Sequence, residues 1–156
     1  MKIYQVTENK KQYIDLLLLA DEDEKMIDLY LSRGDMYAMS ENDSVVCICV
    51  VTDEGEGTLE IKNIATRPDA QGHGYGRRMI EHIEAAYRDR FRTLLVGTGD
   101  SPLTVPFYEK CGFVRSHIIP NFFKDNYDHP IIECGVTLCD MVYLKKNVIN
   151  CLGRNT

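Results

Sequence analysis

Hydrophobic and polar positions change period several times along the chain, and those changes predict the elements. Lys2 to Val6 alternates and predicts a short strand. Tyr13, Leu16, Leu17 and Ala20 recur at helical spacing, as do Met26, Ile27, Tyr30 and Leu31 after the acidic connector Asp21 to Glu24. Gly34 ends that second helix, Met36 to Met39 reads as a strand, and Asn42-Asp43 as a turn. Val45 to Val51 is an unbroken run rich in β-branched residues, the pattern of a strand buried on both faces. Asp53 to Gly57 closes a hairpin onto a strand over Thr58 to Thr66.

That last strand carries a phase slip. Leu59 and Ile61 share one face, yet the next large apolar residue, Ile64, falls on the other. A slip inside a strand predicts a β-bulge, which bends the chain and leaves backbone N–H and C=O groups unpaired for a ligand to lie along.

The following segment, Thr66 to Arg78, holds glycines at the alternate positions 72, 74 and 76, and then a helical stripe of Met79, Ile80, Ile83, Ala86 and Tyr87. Unpaired amides at the N-terminus of that helix, with little side-chain bulk in front of them, form a cradle for phosphate oxygens. Further on the pattern predicts a strand at Thr93 to Val96, a loop at Gly97 to Pro102 and a short helix ending near Cys111 with Gly112 at its C′ position. It continues with a strand over Phe113 to Ile119, an ordered aromatic loop over Asn121 to Pro130, a closing strand over Val136 to Leu144, and a tail from Asn147. The expected domain spans residues 1–146, with 147–156 as the tail. This order predicts an α/β (α+β) domain with a mixed, largely antiparallel sheet of about seven strands and about four helices.

Composition narrows the function. The chain has 156 residues, a length that suits one domain, and a net charge of −6, which argues against a nucleic-acid partner whose affinity would rest on Lys and Arg. Leu16 to Ala20 is far too short to span a bilayer, and Met1 to Gln5 lacks the apolar core of a secretory leader, so neither a membrane nor an exported location is expected. A cytoplasmic protein is the default. Its six cysteines include no CxxC pair and read as reduced, packed thiols, with no metal site.

Two phosphate-binding fingerprints fit poorly. A dinucleotide loop would need a third glycine where Arg77 stands, and a Walker A loop would need Gly-Lys-Ser or Gly-Lys-Thr where Arg77-Arg78 follows Gly76. By contrast, Gln71-Gly72-His73-Gly74-Tyr75-Gly76 is similar to the Gln/Arg-x-x-Gly-x-Gly/Ala pattern of the GNAT superfamily of acyl-CoA-dependent N-acetyltransferases. Ile64 to Pro68 resembles the end of that family's bulged fourth strand, and Phe107-Tyr108-Glu109-Lys110-Cys111-Gly112-Phe113 is similar to its FYEKxGF signature.

The resemblance implies a fold of that type and acetyl-CoA as cosubstrate, with its pyrophosphate on the amides of Gln71, Gly72, His73, Gly74, Tyr75 and Gly76. The pantetheine arm would run along Ile64, Ala65 and Thr66, with Ser101 in reach where the family often has asparagine. Tyr108 matches the tyrosine that protonates the leaving thiolate, and an unperturbed pKa of about 10 suits that task. Glu60, on the bulged strand, is the candidate base for the acceptor amine, with His117, His129 and Glu133 as further candidates. A primary amine on an unidentified acceptor is the expected nucleophile, and a homodimer, common in the family, is compatible with the sequence. The alternative is a non-catalytic acyl-CoA-binding module on the same scaffold.

Overall fold

The computed structural model describes residues 1–148. Seven strands form one twisted sheet in the order β1 (Lys2–Val6), β2 (Asp35–Glu41), β3 (Ser44–Gly55), β4 (Thr58–Thr66), β5 (Thr93–Gly99), β9 (Met141–Asn147), β6 (Val114–Ile119). Every neighbouring pair in this sheet is antiparallel except β4 and β5, which run parallel. The run Val46 to Val51 is buried on both faces of β3, and a separate apolar core lies on each side of it.

On one side, α1 (Ile14–Ala20) and α2 (Glu24–Leu31) set Leu17, Ile27 and Leu31 against Ala38, Ile48, Val50 and Ala65. On the other, α3 (Tyr75–Tyr87) buries Met79, Ile80, Ile83 and Tyr87 against Met39, Cys47, Cys49, Leu59, Ile61 and Leu94. Each fully buried side chain of this size contributes about 1.5–3 kcal/mol, so the stripe read from the sequence holds α3 on the sheet. Lys10 fixes the other end of the first layer, donating from Nζ to the carbonyls of Leu31 (2.9 Å) and Gly34 (2.6 Å) where α2 runs out of its own donors.

The slip in β4 is a bulge. Val50 pairs with Asn63 and Val51 with Ile61, which leaves Lys62 without an opposite number on β3. The extra residue brings Ile64 back into the core on the α3 side, with Leu59 and Ile61, and turns Asn63 and Ala65 toward α1 and α2. Beyond the bulge β4 leaves β5: their pairing ends at Ile61 with Val96, after which β4 continues to Thr66 against β3 alone and β5 to Gly99 against β9 alone.

Three expectations shift in the C-terminal third. The loop over Asn121 to Pro130 contains a fifth helix, α5 (Phe122–Asn126), following α4 (Val105–Lys110). The strand expected over Val136 to Leu144 breaks in two: Val136–Thr137 (β8) pairs with Ile132–Glu133 (β7) in a small hairpin, and β9 begins only at Met141. Asp140 causes the break, since its carboxylate accepts the amide of Asn121 at 2.9 Å and the carbonyl of Cys139 accepts the amide of Phe123 at 3.0 Å, tying this stretch to α5 instead of to a strand. Finally, β9 runs on to Asn147, and the amide of Val148 donates to the carbonyl of Arg92 at 2.8 Å; the rest of the expected tail, residues 149–156, lies outside the described part. Among the described residues, no helix is long and apolar enough to cross a bilayer.

Candidate active site

The parting of β4 from β5 opens a cleft of about 400 Å³. Asn63, Ile64, Ala65 and Thr66 form one wall and Val96 to Gly99 the other, with Thr104 and Tyr108 at its base. From Lys62 onward one edge of β4 has no strand beside it, so ladder N–H and C=O groups face the cleft instead of a neighbour. Ile64, Ala65, Thr66, Gln71 and Tyr108, all expected to be near a cofactor, line this one cavity. Gln71 also ties the loop to the strand end, donating from Nε2 to the carbonyl of Thr66 at 3.1 Å.

The glycine loop sits at the outer end. Gly72 and Gly74 both have φ of 82°, the left-handed region, and a Cβ at either would meet nothing within 4 Å. Conformation, and not crowding, therefore requires glycine at these two positions. Gly76 differs: a Cβ there would stand 3.1 Å from Cζ of Phe107, so this glycine lets α3 start close against α4. The first intrahelical bond of α3 runs from the Arg78 amide to the Gly74 carbonyl at 3.1 Å, which leaves the amides of Tyr75, Gly76 and Arg77 without a partner inside the helix. Arg77 and Arg78 are exposed on the same turn and add positive charge to this end of an otherwise acidic molecule. His73 turns away from it, with Nδ1 3.0 Å from the carbonyl of Ala70.

Tyr108 is wedged edge-on between Phe107 and Phe113, with ring centroids 5.1 Å and 5.7 Å away, and is only 7% exposed. Burial raises its pKa above the ordinary tyrosine value, reinforced by the thiols of Cys49 and Cys111 and the carboxylate of Glu133, so the phenol stays protonated at neutral pH. No hydrogen bond engages its hydroxyl among the described residues.

Glu60 is buried on β4, one step short of the cleft lining, where Lys62 Nζ lies 3.1 Å from its carboxylate. Desolvation raises its pKa and Lys62 partly offsets that. Ser101 is buried inside its loop, with Oγ 3.3 Å from both the hydroxyl of Thr104 and the amide of Leu103; Thr104, not Ser101, reaches the cavity wall. His117 stacks flat on Tyr143 at 4.6 Å, outside the lining, and His129 is exposed against Glu22 and Asp128.

The same cleft continues past the strand edges. The end of α1 and the connector after it contribute Leu18 to Glu22; Phe123, Tyr127, Ile131 to Glu133, Leu138 and Met141 come from the far side. Two contacts join these walls: Tyr127 donates its hydroxyl to Asp21 at 2.8 Å, and His129 meets Glu22. This pairing was not legible in the sequence, where the connector reads as a solvated acidic run and the partners stand over 100 positions away. Asn63 was missed as well, because an asparagine in a strand carries no periodic signal. It is 3% exposed and donates from Nδ2 to the Leu17 carbonyl (2.9 Å) and the Tyr30 hydroxyl (3.0 Å). Among the described residues, no group of three or more His, Cys, Asp or Glu side chains is placed to hold a metal ion.

Comparison with known proteins agrees with this architecture. Residues 32–115 match the family model for the acetyltransferase (GNAT) domain. The uncharacterised N-acetyltransferase YvbK of Bacillus subtilis (strain 168) is 36% identical over 139 residues, which cover 88% of this chain and 90% of that protein. A GNAT family acetyltransferase from Elizabethkingia anophelis, crystallised with acetyl-CoA bound, superposes with a TM-score of 0.89 at 34% identity, covering 94% of this chain and 97% of that one. A Bacillus subtilis acetyltransferase in complex with CoA gives 0.86 at 34% identity, again covering 94% and 97%. With the bulged and parted strands, the glycine turn and the family match all in agreement, the chain belongs to the GNAT family of acetyltransferases.

Proposed function

We propose that this protein transfers the acetyl group of acetyl-CoA directly to a primary amine bound where the cleft runs between residues 18–22 and 123–141. The observation that carries this reading is the continuity of the cavity, in which an unpaired strand edge and a buried protonated tyrosine adjoin that region. The residues present fit such a donor. Free amides and two arginines at the start of α3 suit a pyrophosphate, and the slot between β4 and β5 suits an extended arm that bonds to backbone as a strand would. Similarity to relatives crystallised with acetyl-CoA or CoA supports the same donor.

Bound acetyl-CoA supplies an activated thioester. In this reading, a main-chain N–H near Ile64 polarises the thioester carbonyl, and Tyr108 gives its proton to the departing sulfur. Glu60 draws the amine's proton through water, a role that its buried, desolvated carboxylate supports. The test follows thiol release with purified protein, acetyl-CoA and a panel of primary amines, alongside thermal unfolding with and without acetyl-CoA. Amine-dependent release and a raised Tm are expected. A raised Tm with no release on any amine would favour a binding module instead, and stabilisation by NADH but not by acetyl-CoA would overturn the donor.

A further inference from the structure

Three carboxylates, Asp21, Glu22 and Glu133, and one lysine, Lys62, line the cleft. All but one of these charges are already engaged. Asp21 accepts from the Tyr127 hydroxyl at 2.8 Å and the Asp23 amide at 3.3 Å, Glu22 meets His129, and Lys62 is held 3.1 Å from Glu60. Glu133 has neither hydrogen bond nor ion pair among the described residues.

The backbone determines where Glu133 points. Ile131 is 9% exposed and Ile132 is 64% exposed, so the two-residue alternation of a strand returns position 133 to the inward face, where it is half-buried. The turn beyond it fixes that register. Glu133 pairs with Val136 across Cys134 and Gly135, whose φ values of 50° and 75° are those of a type I′ hairpin. A slip of one residue would bury Ile132 but expose both Ile131 and Glu133. The observed register keeps Ile131 covered and with it holds the unpaired Glu133 carboxylate in the cavity wall. Glu133 and Tyr108 line the same cavity, and the carboxylate is the smallest of the contributions that raise the Tyr108 pKa.

We propose that Glu133 receives the acceptor's amino group as an ammonium ion beside Tyr108, and so selects alkylamines, which are charged at neutral pH, over weakly basic arylamines. This rests on the amine-acetyltransferase reading above and names its substrate class. An ammonium has N–H donors to satisfy on leaving water, and an unpaired carboxylate in the cavity wall offers it a charge-assisted partner.

The experiment compares benzylamine and 1,4-diaminobutane with aniline under saturating acetyl-CoA, using the full chain and its Glu133→Gln and Glu133→Asp variants. Wild type should acetylate both alkylamines in preference to aniline. Glu133→Gln should raise KM for the alkylamines about tenfold or more, the loss of one charge-assisted contact, with KM for acetyl-CoA unchanged, and Glu133→Asp should recover part of it. The KM change decides, because arylamines are also poorer nucleophiles. An unchanged alkylamine KM in Glu133→Gln, a preference for aniline, or turnover of neither alkylamine overturns the assignment. Under any of these, a Tm rise of wild type with acetyl-CoA leaves the donor reading standing, whereas its absence removes both.

Discussion

Single residues divide here into those that the sequence singled out and those that only packing could reveal. Tyr108 was legible because its neighbours Phe107, Gly112 and Phe113 form a recognisable signature, and the same neighbours form its aromatic cage. Gly74 was legible as part of a glycine run, although its reason is specific: φ of 82° with open space around the Cβ position. Gly74→Ala should therefore cost about 1–2 kcal/mol in denaturant unfolding, the ordinary penalty of the left-handed region for an L-residue, without creating a clash. Glu60 entered as a candidate through the family resemblance, and its ion pair with Lys62 was visible only in the fold. If Glu60 is the base, it must be ionised to act. Burial moves its pKa above the ordinary 4.5, so kcat should rise with pH through that elevated value. Glu60→Gln should remove this acid limb and lower kcat by about a hundredfold or more. A retained limb would assign the base elsewhere.

Among the elements, β4 was the most legible and the 121–140 segment the least. The phase slip from Ile61 to Ile64 forecast the bulge, because one inserted residue is the simplest way to keep both in the same core. No such signal exists for α5. Five residues cannot express a helical period, and this helix is held by Asp140 and Cys139, long-range partners invisible in a local window. The segment nonetheless walls part of the cleft and is tethered to the α1–α2 connector through Tyr127 and His129. The hydrogen bond to Asp128, and then that to Glu22, raises the His129 pKa above the ordinary 6.5. A raised folded-state pKa means that the tether's contribution is complete below about 6.5 and is lost as pH climbs through the elevated value. Hydrogen-exchange protection of amides 122–133 should fall across that interval relative to His129→Gln, in which the pH dependence should vanish. Identical profiles in the two proteins would show that the imidazolium does not hold this wall.

Across the whole molecule, the departure of β4 from β5 organises everything else. The pair is the only parallel one in the described seven-stranded sheet, and it pairs over just four registered positions before separating. A parallel pair needs a crossover, here α3, and that crossover brings the glycine turn to the mouth of the gap it spans. Order and type of elements followed from periodicity, so the fold was largely readable. The residues proposed to hold the donor were readable too, since they lie in contiguous motifs and backbone. Those proposed to hold the acceptor were not, because residues 18–22, 63 and 123–141 are brought together only by the tertiary fold. Net charge illustrates the same limit: a total of −6 conceals an arginine-bearing helix start at one end of the cleft and carboxylates at the other.

We propose that acetyl transfer in this cavity uses Tyr108 as the acid. The most direct measurement is thiol release from acetyl-CoA at saturating amine, comparing wild type with Tyr108→Phe. That substitution preserves the ring packed between Phe107 and Phe113, so the fold and the stabilisation by acetyl-CoA should persist while kcat falls by about a hundredfold or more. An active wild type whose Tyr108→Phe variant turns over at the same rate would contradict the account.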